Sequence, residues 1–216
     1  ARRMSSAASR TAGRFMLHRL PWMPTAPRKD SHTMRTWLTV DSPGGPLTLV
    51  ASAQGLSHVY FPTEVPDLSE ATKVTHAMDS ERVHDDQSED TALTVLSDAS
   101  RQLTEYFAGS RKSFELLVDV PTPPLTFRSR AQHALRSIPY GTHWTYAQLA
   151  QAAGSEGAVR AAGSACATNP LPIVVPCHRV VRADGHIGAY RGGPDIKLFL
   201  LDLEERFIRE HTGGNP

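Results

Sequence analysis

The spacing of hydrophobic positions changes twice along the chain, and the changes divide it. Arg35–Val40, Leu47–Ala51 and Leu56–Phe61 are short runs rich in Val, Leu, Thr and aromatic residues. Ser42-Pro43-Gly44-Gly45-Pro46 and Gln54-Gly55 separate them, so they predict an antiparallel meander. Residues 62–90 are polar and end in the acidic stretch 79–90, which predicts a solvated loop. Leu93, Leu96, Ala99, Leu103, Tyr106 and Phe107 then recur at helical spacing, with Gly109 as the stop. Phe114–Val120 predicts one more strand, and Pro121-Thr122-Pro123-Pro124 a linker.

Beyond the linker the pattern is mainly helical. Phe127, Ala131, Ala134, Leu135 and Ile138 form one stripe, stopped by Pro139-Tyr140-Gly141. Thr145 with Gln148 is a capping box for a helix through Ala153, closed by Gly154. Ser155 and Glu156 predict the first turn of another helix, running to about Thr168 before Asn169-Pro170. Two short helices joined by a tight Gly-containing turn make a helix-turn-helix, a weak pointer to DNA because helical hairpins occur in many folds.

Charge sharpens the division. Residues 1–33 carry seven Lys/Arg against Asp30 alone, residues 34–120 six against fourteen acids, and residues 121–216 ten against seven. A formal net charge of +1 therefore hides an acidic middle and a basic final part, where a polyanion would dock. The Arg-, Ser- and Pro-rich residues 1–33 fit an organelle transit peptide, and equally a disordered basic tail or an upstream extension. No secretory signal or membrane-length apolar run is visible, so an intracellular protein is expected, with organelle targeting open. Two cysteines, Cys166 and Cys177, fit free thiols in a reducing compartment.

The segment that carries chemistry is Asn169-Pro170-Leu171-Pro172-Ile173-Val174-Val175-Pro176-Cys177-His178-Arg179. Ile173–Val175 predicts a buried strand, and Pro176 forces the chain to turn where Cys177 emerges. An imidazole and a guanidinium beside a thiol favour its nucleophilic thiolate form. Adjacent side chains in extended backbone diverge, so coupling Cys177 to His178 needs a bridging water or a turn. The plain alternative is a buried structural Cys beside a satisfied His, which is the commoner fate of such a pair. Cys166, Cys177 and His178 have no usual zinc spacing and no fourth ligand, so no metal is expected.

These residues and their flanks resemble the O6-alkylguanine-DNA alkyltransferases. The resemblance is carried by Pro176-Cys177-His178-Arg179-Val180 with Ile138-Pro139-Tyr140-Gly141-Thr142, Thr145-Tyr146-Ala147-Gln148-Leu149, Ala158-Val159-Arg160-Ala161-Ala162-Gly163 and Asn169-Pro170 upstream. Gly188-Ala189-Tyr190-Arg191-Gly192-Gly193 and Lys197-Leu198-Phe199-Leu200-Leu201-Asp202-Leu203-Glu204 continue it downstream. It is continuous over about residues 121–206 and compatible over 34–120. Several motifs in order are far more specific than one Pro-Cys-His-Arg run.

The resemblance implies an α+β protein. Its N-terminal domain, 34–120, would be a ribonuclease-H-like small antiparallel sheet with a helix. The C-terminal domain, 121–216, would be a winged-helix or helix-turn-helix DNA-binding unit. It implies DNA repair by irreversible, single-use transfer of an alkyl group from O6-alkylguanine to Cys177, with O4-alkylthymine a second candidate substrate. His178 would activate Cys177 through water, Glu204 would orient His178, Asn169 would brace the turn, and Tyr146 would protonate the departing base. Arg160 would fill the stack vacated by a flipped nucleotide, with Ala161 and Gly163 allowing close approach and Arg128 and Arg179 contacting phosphates. Cys166, Pro172, Val180, Tyr190 and Arg191 would line the alkylguanine pocket. The implied partner is double-stranded DNA containing the damaged base; no cofactor, membrane or obligate protein partner is implied.

The sequence departs from the family at three places. Arg128-Ser129-Arg130-Ala131-Gln132-His133 stands where an apolar Val-Trp pair is frequent, Arg191 stands where a small residue is frequent, and Cys166 adds a second thiol. Two rival readings are a damage sensor that binds without transfer and a Cys-His acyl hydrolase. The first is opposed by the presence of Cys177, and the second by the lack of a recognisable oxyanion-hole motif.

Overall fold

The computed structural model describes residues 35–74, 87–120 and 126–212. The leader 1–33, most of the acidic stretch and the proline linker lie outside the described residues. The N-terminal half begins with the predicted meander: β1 (Arg35–Val40), β2 (Leu47–Ser52) and β3 (Gly55–Tyr60). Thr36 pairs with Ala51 and Val40 with Leu47 across β1 and β2, while β2 meets β3 antiparallel with a register shift at Val50/Ala51. A fourth strand, β4 (Ala71–Lys73), joins β1 in parallel, giving the order β3-β2-β1-β4. It falls within the polar segment 62–90, ahead of the acidic stretch, where no strand is predicted. It is a three-residue edge strand largely in solvent, so it leaves no apolar alternation to read.

The helix α1 (Gln87–Phe107) lies across β1, β2 and β3. Val95, Leu96, Ala99 and Leu103 bury against Leu38, Val40, Leu49, Leu56 and Val59. Phe114–Val120 is not a full strand. It touches the sheet at one bridge, where Leu56 N donates to Leu117 O (2.8 Å) and Asp119 N to Leu56 O (2.9 Å). The contact depends on Gly55, at φ +142°, because a Cβ there would meet the Leu117–Val118 backbone at 2.6 Å.

In the C-terminal half, α2 (Phe127–Leu135), α3 (Tyr146–Ala152) and α4 (Val159–Ala167) pack on one another. Ala131, Leu135, Leu149, Ala150, Ala162 and Ala165 are all buried at that contact. Small residues let the three short helices approach closely. The capping box forms as predicted: Gln148 N donates to Thr145 Oγ1 (3.2 Å) and Thr145 N to Gln148 Oε1 (2.7 Å). The next helix starts later than predicted. Ser155 and Glu156 belong to a turn closed by Ala158 N→Ser155 O (3.0 Å), and α4 begins at Val159 without a side-chain cap.

Strands β5 (Trp144–Thr145) and β6 (Val180–Val181) pair in parallel, and α5 (Pro194–Thr212) closes the chain. Ile173 and Val175 are buried and Val174 partly so, but the run is not a strand. Ile173 sits at φ +73°, and Val175 N turns back to Leu171 O (2.8 Å). Prolines at 170, 172 and 176 remove the donors that a ladder would need, so the segment folds into a tight loop. Buried apolar residues of both halves form one continuous core. Among the described residues, no helix is long and apolar enough to cross a membrane.

A candidate active site around Cys177

The tight loop ends in a single 3₁₀ turn over Cys177–Arg179 that places Cys177 and His178 inside the protein, 3% and 0% exposed. The turn changes the geometry expected of extended backbone: Cys177 N donates to Val175 O (2.8 Å) and Arg179 N to Pro176 O (3.0 Å). Asn169 braces it. Its Nδ2 donates to Val175 O (2.8 Å) and to Cys177 Sγ (3.1 Å), while its Oδ1 accepts from Leu171 N (3.1 Å).

Burial pushes the Cys177 thiol pKa up, so the resting group is a thiol and not the thiolate expected from its neighbours in sequence. The Asn169 amide and the cations Lys197 and Arg191 oppose that rise. Lys197, on α5, is completely buried, and its Nζ donates to Val180 O (2.6 Å). Burial lowers its pKa, and the two cysteines counter that effect.

Glu204, also on α5, is the hub of the site. Its carboxylate meets His178 Nε2 (2.9 Å), Tyr106 Oη (2.7 Å), Gly141 N (2.9 Å) and the Arg179 guanidinium, whose Nε and Nη2 each approach to 2.9 Å. Burial alone would raise its pKa, but the hydrogen bonds and charges of His178 and Arg179 outweigh this and bring it down to about 2. An ionised carboxylate only accepts, so His178 donates from Nε2 and its basic lone pair is left on Nδ1. Nδ1 is buried and has no hydrogen-bond partner among the described residues. Burial, with the charges of Arg179 and Lys197, lowers the imidazole pKa against the raising effect of Glu204, which keeps His178 neutral and able to take a proton.

Arg179 corrects an expectation. It is 6% exposed, forks onto Glu204, donates to Ile138 O (2.7 Å) and lies over the Tyr140 ring. Its charge is committed internally and does not reach a phosphate. Arg128 and Arg160, by contrast, are exposed on α2 and α4, with Ala161 exposed beside Arg160 and Gly163 half-buried one turn on.

Tyr146 opens α3 half-buried, against Gly188, where a Cβ would come 2.9 Å from its hydroxyl. Burial, then Cys166 and Cys177, raise its pKa, so it stays protonated at neutral pH. Tyr190 packs its ring against His178 and Phe61, with its hydroxyl buried and unpartnered among the described residues. Burial and the Cys177 charge push the Cys166 thiol to about 12, and Pro172 and Val180 are buried. Among the described residues no three His, Cys, Asp or Glu side chains converge as metal ligands.

Residues 36–120 and 126–206 match the family models described as the ribonuclease-like and the DNA-binding domain of 6-O-methylguanine DNA methyltransferase. A methylated-DNA–protein-cysteine methyltransferase of Methanosarcina acetivorans is 38% identical over 169 residues, covering 76% of this chain and 94% of the relative. The chain belongs to the methylated-DNA–protein-cysteine methyltransferase family. The constitutive member from Bacillus subtilis is 45% identical over 116 residues, 53% of this chain and 69% of its own. The solved Mycobacterium tuberculosis O6-methylguanine methyltransferase is 34% identical with a TM-score of 0.66, covering 80% of this chain and 94% of that one. The same organism's protein solved in complex with DNA is 33% identical with a TM-score of 0.67, covering 80% and 94%.

Two residues of this family member's site escaped the sequence reading. Tyr106 looked like one more apolar position of α1. Lys197 stands in the sequence only within a longer motif, yet Lys197, Leu200 and Glu204 fall at i, i+3 and i+7 on the buried stripe of α5. Charged residues at core positions of an amphipathic helix are the signal that would have found Lys197.

Proposed function

We propose that this chain repairs DNA by taking the alkyl group of O6-alkylguanine onto Cys177, once per molecule. The observation that carries the proposal is the buried array Glu204–His178 beside a thiol held by Asn169. Glu204 fixes the tautomer, so Nδ1 of neutral His178 draws the Cys177 proton through a bridging water. Sγ then bonds to the alkyl carbon as the carbon–O6 bond breaks. The electron pair passes to the guanine, which takes a proton from Tyr146 Oη, and the imidazolium proton restores Tyr146 through solvent. Lys197 and Arg191 favour the transient thiolate electrostatically. The thioether has no route back to a thiol, so the protein is consumed.

The target atom lies within the base stack, so the nucleotide must be turned out of the duplex. The exposed face of α4 supplies Arg160 to occupy the gap, with Ala161 and Gly163 allowing the DNA backbone near and Arg128 at a phosphate. Pro172, Val180, Tyr190, Arg191 and Cys166 shape the pocket. In this reading residues 121–216 do the chemistry and 34–120 support it. The relative solved in complex with DNA supports DNA as the partner.

Intact-protein mass after incubation with a duplex containing one O6-methylguanine tests it. One CH2 is expected per molecule, mapped to Cys177 and absent in Cys177→Ser. Absence of any gain, or its appearance on Cys166 instead, would overturn the assignment.

A further inference from the structure

The Asn169 turn is held from the N-terminal half. Val59 N, in β3, donates to Pro170 O (2.9 Å). Arg191, on the loop between β6 and α5, donates from Nη1 to the carbonyl of Asn169 and from Nε (3.0 Å) and Nη2 to Glu64 Oε1. Glu64 is itself anchored just past β3, where its Oε2 accepts from Phe61 N (2.8 Å) and its own N–H donates to Phe61 O (3.0 Å). The guanidinium also lies over the Tyr60 ring, 5.9 Å from its centroid. On the same loop, the Tyr190 ring meets Phe61 edge-on at 5.5 Å.

We propose that Arg191, paired with Glu64, is a positioning residue for the acceptor thiol: the pair fastens the pocket loop to the N-terminal half and fixes the turn whose Asn169 amide bonds Cys177 Sγ. The inference rests on the alkyl-transfer reading of the site. Asn169 is 1% exposed, so loss of the Arg191 donor leaves its carbonyl buried without the partner the structure gives it. The arrangement suits arginine, because one planar fork serves a carboxylate and a carbonyl together, which an ammonium on a flexible stem does not. None of the Arg191 partners lies on α2, α3 or α4, so its loss should spare duplex binding.

Single-turnover transfer from a methylated duplex, measured beside affinity for the unmodified duplex, tests this. Arg191→Ala should slow transfer about tenfold or more with affinity within about twofold. Glu64→Gln should slow it less and add little on top of Arg191→Ala, because both break one linkage. Arg191→Lys should recover part of the rate. Transfer at the wild-type rate in Arg191→Ala, or equal losses of rate and affinity, would overturn the proposal. Should Arg191→Ala fail to fold, Arg191→Lys and Glu64→Gln carry the same comparison.

A readout independent of transfer is the pH profile of Cys177 alkylation by iodoacetamide, resolved from Cys166 by peptide mapping. The groups facing Cys177 are Asn169, Lys197 of α5, Tyr146 of α3, Cys166 of α4, and Tyr190 and Arg191 of the pocket loop. Removing Arg191 takes a cation away and loosens Asn169, so the midpoint should move to higher pH; an unmoved midpoint counts against positioning. If the wild-type chain accepts no methyl group the proposed function fails, while this profile still decides the role of Arg191.

Discussion

At the scale of single residues, Glu204 shows how one carboxylate gathers donors from four residues in three parts of the chain: Tyr106, Gly141, and the adjacent His178 and Arg179. Glu204→Gln leaves the 6%-exposed Arg179 without its counter-charge, so at pH 7 it should destabilise the protein by about 3–5 kcal/mol. The pH dependence follows from the direction of the shift. A carboxylate whose pKa falls from 4.5 to about 2 on folding contributes stability in full above the ordinary value and loses it as pH drops towards 2. Wild type and variant should therefore converge over that window in urea-unfolding series, and a constant gap would refute this reading. His178 acts at milder pH with the same sign. Its folded pKa is lowered, so below 6.5 the unfolded chain takes up a proton that the folded chain refuses, and stability falls. Cys177 and His178 stand out in the sequence as part of one Pro-Cys-His-Arg run, whereas Asn169 and Glu204 are singled out only through the family resemblance; the structure brings all four together. The internal commitment of Arg179 was not legible, because the partners that decide it, Glu204 and the Ile138 carbonyl, lie 25 and 41 positions away.

At the scale of elements, local signals were read well where local hydrogen bonds decide the structure. The Thr145–Gln148 box is such a case, and it fixes the entry of α3 and so the place of Tyr146. Thr145→Ala removes one side of the box, leaves the Gln148 N–H without its cap, and should cost about 1 kcal/mol of stability by thermal unfolding. No measurable loss would mean that packing of α3, and not its cap, sets the helix start. The loop at Ile173–Val175 departs from its predicted strand for the opposite reason. A continuous apolar run reports burial and says nothing of backbone direction, and a β-branched residue at positive φ is not expected from its type. Strain there, of the order of 1–3 kcal/mol, is held by Asn169 and by the Val175 N–H to Leu171 carbonyl bond, and it delivers Cys177 to a buried turn instead of a strand end.

At the scale of the whole molecule, the two halves meet through contacts that no local pattern encodes. Tyr106 reaches Glu204 across 98 positions and Arg191 reaches Glu64 across 127. Gly192 marks how tight this junction is. A Cβ added there would meet three atoms of the Phe61 ring at 2.7–2.9 Å, and that ring is only 3% exposed and already packed on Tyr190. Neither partner can give way without parting the pocket loop from the N-terminal half, so Gly192→Ala should lower stability by about 1–3 kcal/mol. Gly157 provides the contrast. It lies exposed in the turn before α4 with nothing within 4 Å of an added Cβ, so Gly157→Ala should be neutral or slightly stabilising by restricting the unfolded chain. Thermal unfolding of the two variants side by side separates the effects. A large loss in Gly192→Ala with none in Gly157→Ala ties stability to the seam between the halves. Equal small effects would show that the pocket loop can move away from Phe61 at little cost, and that the N-terminal half does not hold the site closed.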